Sequence, residues 1–319
     1  MSMKKTPYAP LFIVGAALLW SIDGLLRRNV YTLRPEVVVF VEHGIGAALL
    51  FPFVVSEMKA WARVRARTWL SVAAIALFGG VIGTVAYTAA LGKVQYISLS
   101  VVVLLQQLQP VFAITLAALL LRERISKRFL ILAGIAIVAA YAVTFPHLRV
   151  NITTGSGTVI AALLALVAAL SWGSCTVLGR YALGSMSVFS LTAMRFWITT
   201  VIMFFLLLAT GAIHAVSQIP AAQWGYVFAI VFSSGVVAML IYYTGLAHVP
   251  ARLATLLELC WPFSAIGIDW IVYGKVFTAT QWAATLVLVG VMVVISRDYA
   301  RKHIHAESMR LCTKHSPQP

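Results

Sequence analysis

Acid is scarce in this chain: nine Asp and Glu stand among 319 residues, against 24 Lys and Arg, and charged residues of both signs make up only 10%. Soluble domains carry roughly 25%, so a water-facing surface of ordinary size is excluded. Cysteine is scarcer still. Cys175, Cys260 and Cys312 are too few and too scattered for a disulfide framework or a metal-ligand spacing. No nucleophile motif, phosphate loop or His pair at metal spacing is present. The reading is therefore no enzyme, no catalytic residue, no metal and no cofactor, and nothing in the chain would power ATP-driven transport on its own.

What is abundant is apolar sequence. Hydrophobic residues make up 61% of the chain and the mean hydropathy is +0.95. A spanning helix needs about 20 mostly apolar residues, and ten runs of about that length follow one another. They lie near Leu11–Leu26, Val37–Val55, Leu70–Leu91, Ile97–Leu121 and Phe129–Phe145, then Val159–Leu183, Val188–Leu208, Trp224–Leu246, Leu253–Tyr273 and Phe277–Ile295. Continuous runs exclude a transmembrane barrel, whose strands alternate at period two. The expected fold class is an all-α integral membrane protein of ten transmembrane helices. Lys4 and Lys5 precede the first run as in a signal peptide, but no small-x-small site ends it and Asp23 interrupts it, so it reads as a retained helix.

The net charge of +15 matters through its placement. With the amino terminus inside, the cytoplasmic loops receive Lys59, Arg63, Arg65 and Arg67, then Arg122, Arg124, Lys127 and Arg128, and the tail adds Arg297, Arg301 and Lys302. The outer side holds Arg27, Arg28, Arg34, Lys93, Arg149 and Lys275. This bias predicts both termini in the cytoplasm and a multi-pass protein of the cell inner membrane. Without a soluble basic domain, nucleic acid is not a partner.

The second five runs echo the first five. A shift of 152 lays Ala16, Ala17, Leu18, Trp20, Leu26 and Arg28 on Ala168, Ala169, Leu170, Trp172, Leu178 and Arg180, and Pro110 on Pro262. Five is odd, so the second copy enters from the opposite face, which gives two inverted five-helix repeats with a site near the midplane. The expected divisions are residues 1–150, residues 151–296 and a disordered cytoplasmic tail over 297–319.

These residues resemble the drug/metabolite transporter superfamily, in its EamA-type ten-helix members. The resemblance rests on the Ala-Ala-Leu-Leu-Trp20 and Ala-Ala-Leu-Ser-Trp172 openings of the two halves and on Tyr87-Thr-Ala-Ala-Leu-Gly-Lys93. Leu108-Gln-Pro110-Val, Leu121-Arg-Glu123-Arg and Gly134 complete it. It covers roughly residues 8 to 296 and implies a carrier of small organic molecules. The pattern is broken at the ninth helix, where Lys275 stands opposite Glu123. Glu123 itself reads as a structural ion pair or a helix-end contact.

An ionisable residue inside a bilayer faces a cavity or a partner, and Asp23, Glu42, Arg195, Glu258 and Asp269 qualify. By helical rise, Asp23 lies about 18 Å along an outward-running helix and Glu42 about 9 Å into an inward-running one, so both sit in the outer half. Arg195 and Glu258 share a layer about 10 Å above the cytoplasmic edge. That common depth suggests an Arg195–Glu258 pair, either a structural tie or a gating and substrate-binding element. Asp23 or Asp269 would pair with Arg27, which leaves Glu42, between the apolar neighbours Val39 and Gly46, as the best protonatable or cation-binding group.

Aromatic and amide groups complete the candidates. Trp20, Asp23 and Arg27 share one helix face, as do Glu258, Trp261, Pro262 and Asp269. Trp172 mates with Trp20, while Tyr87, Tyr242 and Tyr243 lie on helices three and eight; such rings serve either a cavity for cations and flat apolar groups or simple packing. Gln106, Gln107 and Gln109 precede Pro110, which either opens the fourth helix or merely kinks it. Gly79 and Gly83 form a face for close helix contact.

The substrate-binding or coupling candidates are thus Trp20, Asp23, Glu42, Tyr87, Gln106, Trp172, Arg195, Tyr243, Glu258 and Trp261. The function expected from them is secondary export of a small amphipathic metabolite, an amino acid or related amine, by alternating access. Import of a cationic nutrient and efflux of cationic drugs are the alternatives, with a membrane-embedded enzyme or scaffold behind them. The partners of such a carrier are its substrate, the lipid bilayer, protons as coupling ion and a second copy of the chain in a homodimer.

Overall fold

The structure, a computed structural model, describes residues 8–92, 105–106, 108–144, 156–261, 264, 271 and 278–314. In the first half, α1 is Ala9–Arg28, α2 Pro35–Trp61, α3 runs over residues 66–92, α4 is Gln109–Leu120 and α5 Lys127–Thr144. In the second, α6 is Ser156–Ala182, α7 Val188–Ala209, α8 runs over residues 221–246, α9 is Ala251–Leu257 and α10 Ala279–Lys314. Six segments are long and apolar enough to cross a bilayer: Ala9–Arg28, Pro35–Trp61, Ala66–Ala90, Ile160–Ala182, Val188–Ala209 and Ala221–Leu246. The apolar helices Gln109–Leu120 and Ala279–Ile295 are shorter.

Proline opens several of these helices. Pro10, Pro35 and Pro110 occupy the first turns of α1, α2 and α4, and Pro250 caps α9. Proline's fixed φ suits the first turn, where no intrahelical partner is lost. Pro110 therefore stands in the opening turn of the described helix Gln109–Leu120. Gly211, with φ of 65°, ends α7 in the left-handed region, as glycine does without strain.

The molecule is apolar outside and polar within. Leu70, Leu119 and Leu286 are about 70% exposed, while Asp23, Glu42, His43, Arg27 and Arg195 are buried. Water would not tolerate that outer face, and a bilayer is the solvent that does. Helices meet through small residues. A Cβ on Gly80 would lie 2.0 Å from Thr199 Oγ1, and one on Gly46 2.3 Å from Phe196, so α3 and α2 each rest directly on α7. The expected Gly79 and Gly83 face is used in this way, against Cys175 and Trp172 of α6.

The packing pattern has two-fold character. α1 lies on α8 as α6 lies on α3, and the matched pairs α2–α7, α4–α9 and α5–α10 each pack against themselves. The chain is an all-α membrane protein built from two such repeats. One difference from the sequence reading concerns the carboxyl end. α10 carries on as helix to Lys314, past residue 296 where disorder was expected. A spanning helix supplies the costly nucleus, and Ala306, Glu307, Met309 and Arg310 are good helix formers that extend it.

Candidate functional site

Two helices change pitch at matching places. α3 passes through a π segment at Ala76–Gly83 and α8 through one at Val231–Gly235, so both segments end on glycines 152 residues apart. A π turn disrupts the usual i to i−4 ladder, and in both halves a tryptophan meets an oxygen from the altered stretch. Trp20 Nε1 donates to the Ser234 carbonyl at 3.0 Å, and Trp172 Nε1 donates to the Gly79 carbonyl at 3.3 Å. Each indole also lies against a tyrosine: Trp20 against Tyr242 at 5.1 Å and Trp172 against Tyr87 at 5.2 Å between ring centres. The same brace is built twice, with its halves exchanged between repeats.

These braces flank a cavity of about 170 Å³. It is lined from α1, α2, α3, α6, α7 and α8 and from the α4 and α9 segments, whereas no described residue of α5 or α10 lines it. One wall is charged and closed. Arg27 Nε donates to Asp23 at 2.5 Å and its Nη2 to Glu42 at 2.8 Å. Thr88 accepts from Arg27 at 3.3 Å, and Ser234 Oγ donates to Asp23 at 2.5 Å. One guanidinium thus holds two carboxylates, and each ion's desolvation is offset by the others.

The other wall is charged and open. Glu258 accepts from Tyr242 Oη at 2.7 Å and from Gln109 Nε2 at 2.6 Å. Arg195 Nη1 donates to Tyr243 Oη at 3.2 Å. Among the described residues neither charge has an opposite charge at ion-pair distance. Three buried polar atoms of cavity-lining residues have no hydrogen-bond partner among the described residues: Arg195 Nε, Gln106 Nε2 and Thr255 Oγ1. Buried polar groups are normally satisfied, so an arrangement of this kind is suited to a polar solute that supplies the missing acceptors.

The chain matches the EamA-like transporter family over residues 7–145 and again over residues 159–297. It belongs to the EamA-like transporter family. The riboflavin transporter ImpX of Fusobacterium nucleatum subsp. nucleatum is 32% identical over 289 residues, which is 90% of this chain and 97% of that protein. A solved protein crystal structure superposes with a TM-score of 0.71 at 18% identity, covering 92% of this chain and 98% of that one, and this second likeness bears on the fold alone.

All ten residues singled out from the sequence of this EamA-like protein line the cavity: Trp20, Asp23, Glu42, Tyr87, Gln106, Trp172, Arg195, Tyr243, Glu258 and Trp261. Two expectations within that set are corrected. Arg195 and Glu258 do not pair; adjacent tyrosines on α8 take one each, since Tyr243 turns to α7 and Tyr242 to α9. Glu42 is not solitary, because Arg27 reaches across from α1 to α2; helix neighbours alone could not reveal a partner on another helix. Asp23 pairs with Arg27 as expected, while Asp269, Gln107, Pro262 and Lys275 lie outside the described residues.

Glu123 makes both contacts anticipated for it. Arg122, with φ of 52°, turns the chain at the end of α4, and Glu123 accepts from the Ala251 amide at 2.8 Å and from Arg252 Nη1 at 3.1 Å at the start of α9. Sequence reasoning missed Thr176, Ser234 and Thr255, since a lone hydroxyl in an apolar helix carries no signal. The π segments did leave one, in Gly83 and Gly235 at the repeat shift.

Proposed function

We propose that the chain is a secondary transporter that carries a flat heteroaromatic solute of the flavin class by alternating access. The observation that carries this reading is the full-length relative named a riboflavin transporter. The cavity is consistent with it. Trp20, Tyr87, Trp172, Tyr242 and Trp261 line it with aromatic side chains, which suit a flat ring system, and Gln106 Nε2 and Arg195 Nε, without a hydrogen-bond partner among the described residues, can donate to its carbonyl edge. We further place the protein in the cytoplasmic membrane with both termini inside, on the distribution of its basic residues.

Purified protein in liposomes should move radiolabelled riboflavin saturably, measured for uptake and for release so that the direction is read directly. Flux of amino acids without flux of riboflavin would overturn the assignment. A second reading has its own observation: Arg195 and Glu258 are each uncompensated on one wall, an arrangement that also suits a zwitterionic amino acid or an amine. Competition of unlabelled amino acids against labelled riboflavin separates the two.

A further inference from the structure

Resting on the transport reading, we propose that Glu258 is the proton-binding site that couples this carrier to a pH gradient. Among the described residues the cavity holds three carboxylates, Asp23, Glu42 and Glu258. Two of them are committed to Arg27, and a proton taken up by either would break a buried ion pair. Glu258 can be neutralised without that loss.

Among the described residues, the groups that face Glu258 are Gln109 from α4, Thr176 from α6 and Tyr242 from α8, with Cys260 next to it on its own segment. Arg195 turns instead to Tyr243, and no cation among the described residues pairs with Glu258.

The hydrogen bonds around Glu258 also give its protonation something to do. Tyr242 Oη lies 2.8 Å from Thr176 Oγ1, and Thr176 Oγ1 lies 3.3 Å from the Trp172 carbonyl. While Glu258 is ionised, Tyr242 must spend its one proton on the carboxylate, so Thr176 donates to Tyr242. When Glu258 carries a proton on Oε1, that O–H donates to Tyr242. Tyr242 can then donate to Thr176, and Thr176 to the Trp172 carbonyl. One proton entering at α9 reverses a chain of donors that runs through α8 to α6, ending at the tryptophan of one aromatic brace. The one covalent bond made and broken is the carboxyl O–H of Glu258, Tyr242 and Thr176 keep their own protons, and the proton leaves by the same carboxyl.

Two measurements decide this. In riboflavin-loaded proteoliposomes, wild-type flux should respond to an imposed pH gradient, and whatever flux E258Q retains should be the same with and without it. Independently of any solute, infrared difference spectra of the purified protein on acidification should show a protonated carboxyl band that E258Q lacks and E258D restores in shifted form. An E258Q protein that still follows the pH gradient, a wild type driven by sodium and indifferent to pH, or a band unchanged in E258Q would each overturn the proposal. If the wild type carries no riboflavin, the flavin reading fails by itself and the infrared band still decides for or against Glu258.

Discussion

On one wall of the cavity Arg27 is held by Asp23 at 2.5 Å and by Glu42 at 2.8 Å; on the other, Glu258 meets Tyr242 and Gln109 and Arg195 meets Tyr243, with no opposite charge at ion-pair distance among the described residues. The repeat places both walls on a common frame, yet their chemistry differs position by position. Gln106 stands where the second half has Glu258, His43 where it has Arg195, and Cys175 where the first half has Asp23. The frame is duplicated and the charge is not. The difference separates two tasks. A closed cluster fixes α1 to α2 and has no spare charge for a ligand, whereas an open one leaves a cation, an anion and several unpaired polar atoms to be answered from the cavity.

The largest effect should come from opening the closed wall. Arg27→Met strands two buried carboxylates, and loss of one partner of such a pair costs about 3–5 kcal/mol; thermal unfolding in detergent should show a severe drop, and wild-type stability would mean that the cluster is not structural. Next comes the frame that both walls share. Gly80→Ala pushes a methyl into Thr199 and should cost about 1–3 kcal/mol as overpacking, read in the same assay.

The two braces offer a matched comparison. Trp20→Phe and Trp172→Phe each keep a ring and delete one N–H bond, so each should lose about 0.5–1.5 kcal/mol. Equal losses would support equivalent braces. A much larger loss for Trp20→Phe would tie its brace to the Asp23 cluster through Ser234. The smallest effect on stability belongs to Glu258→Gln, which removes no ion pair and keeps an oxygen for Tyr242, so unfolding should stay within about 1 kcal/mol of wild type. A drop as large as that of Arg27→Met would erase the distinction between the walls.

The sequence by itself determined the solvent of this protein, its helices and its repeat. Long apolar runs with few charges can satisfy their backbone in lipid only as helices, and the match of Trp20 to Trp172 shows in the letters because each repeat keeps the same local role. It also picked out ten of the residues that line the cavity, since a charge or an indole inside such a run is costly unless it faces inward. Only the tertiary structure decided which of them meet. Depth along a helix set Arg195 and Glu258 in one layer but could not set the angle around the axis, and Tyr242 and Tyr243, adjacent on α8, point to different helices. Glu42 looked alone because its neighbours in sequence are apolar, and Arg27 comes to it from α1. Partnership across helices depends on rotation and distance between axes, which packing fixes and a one-dimensional pattern does not contain.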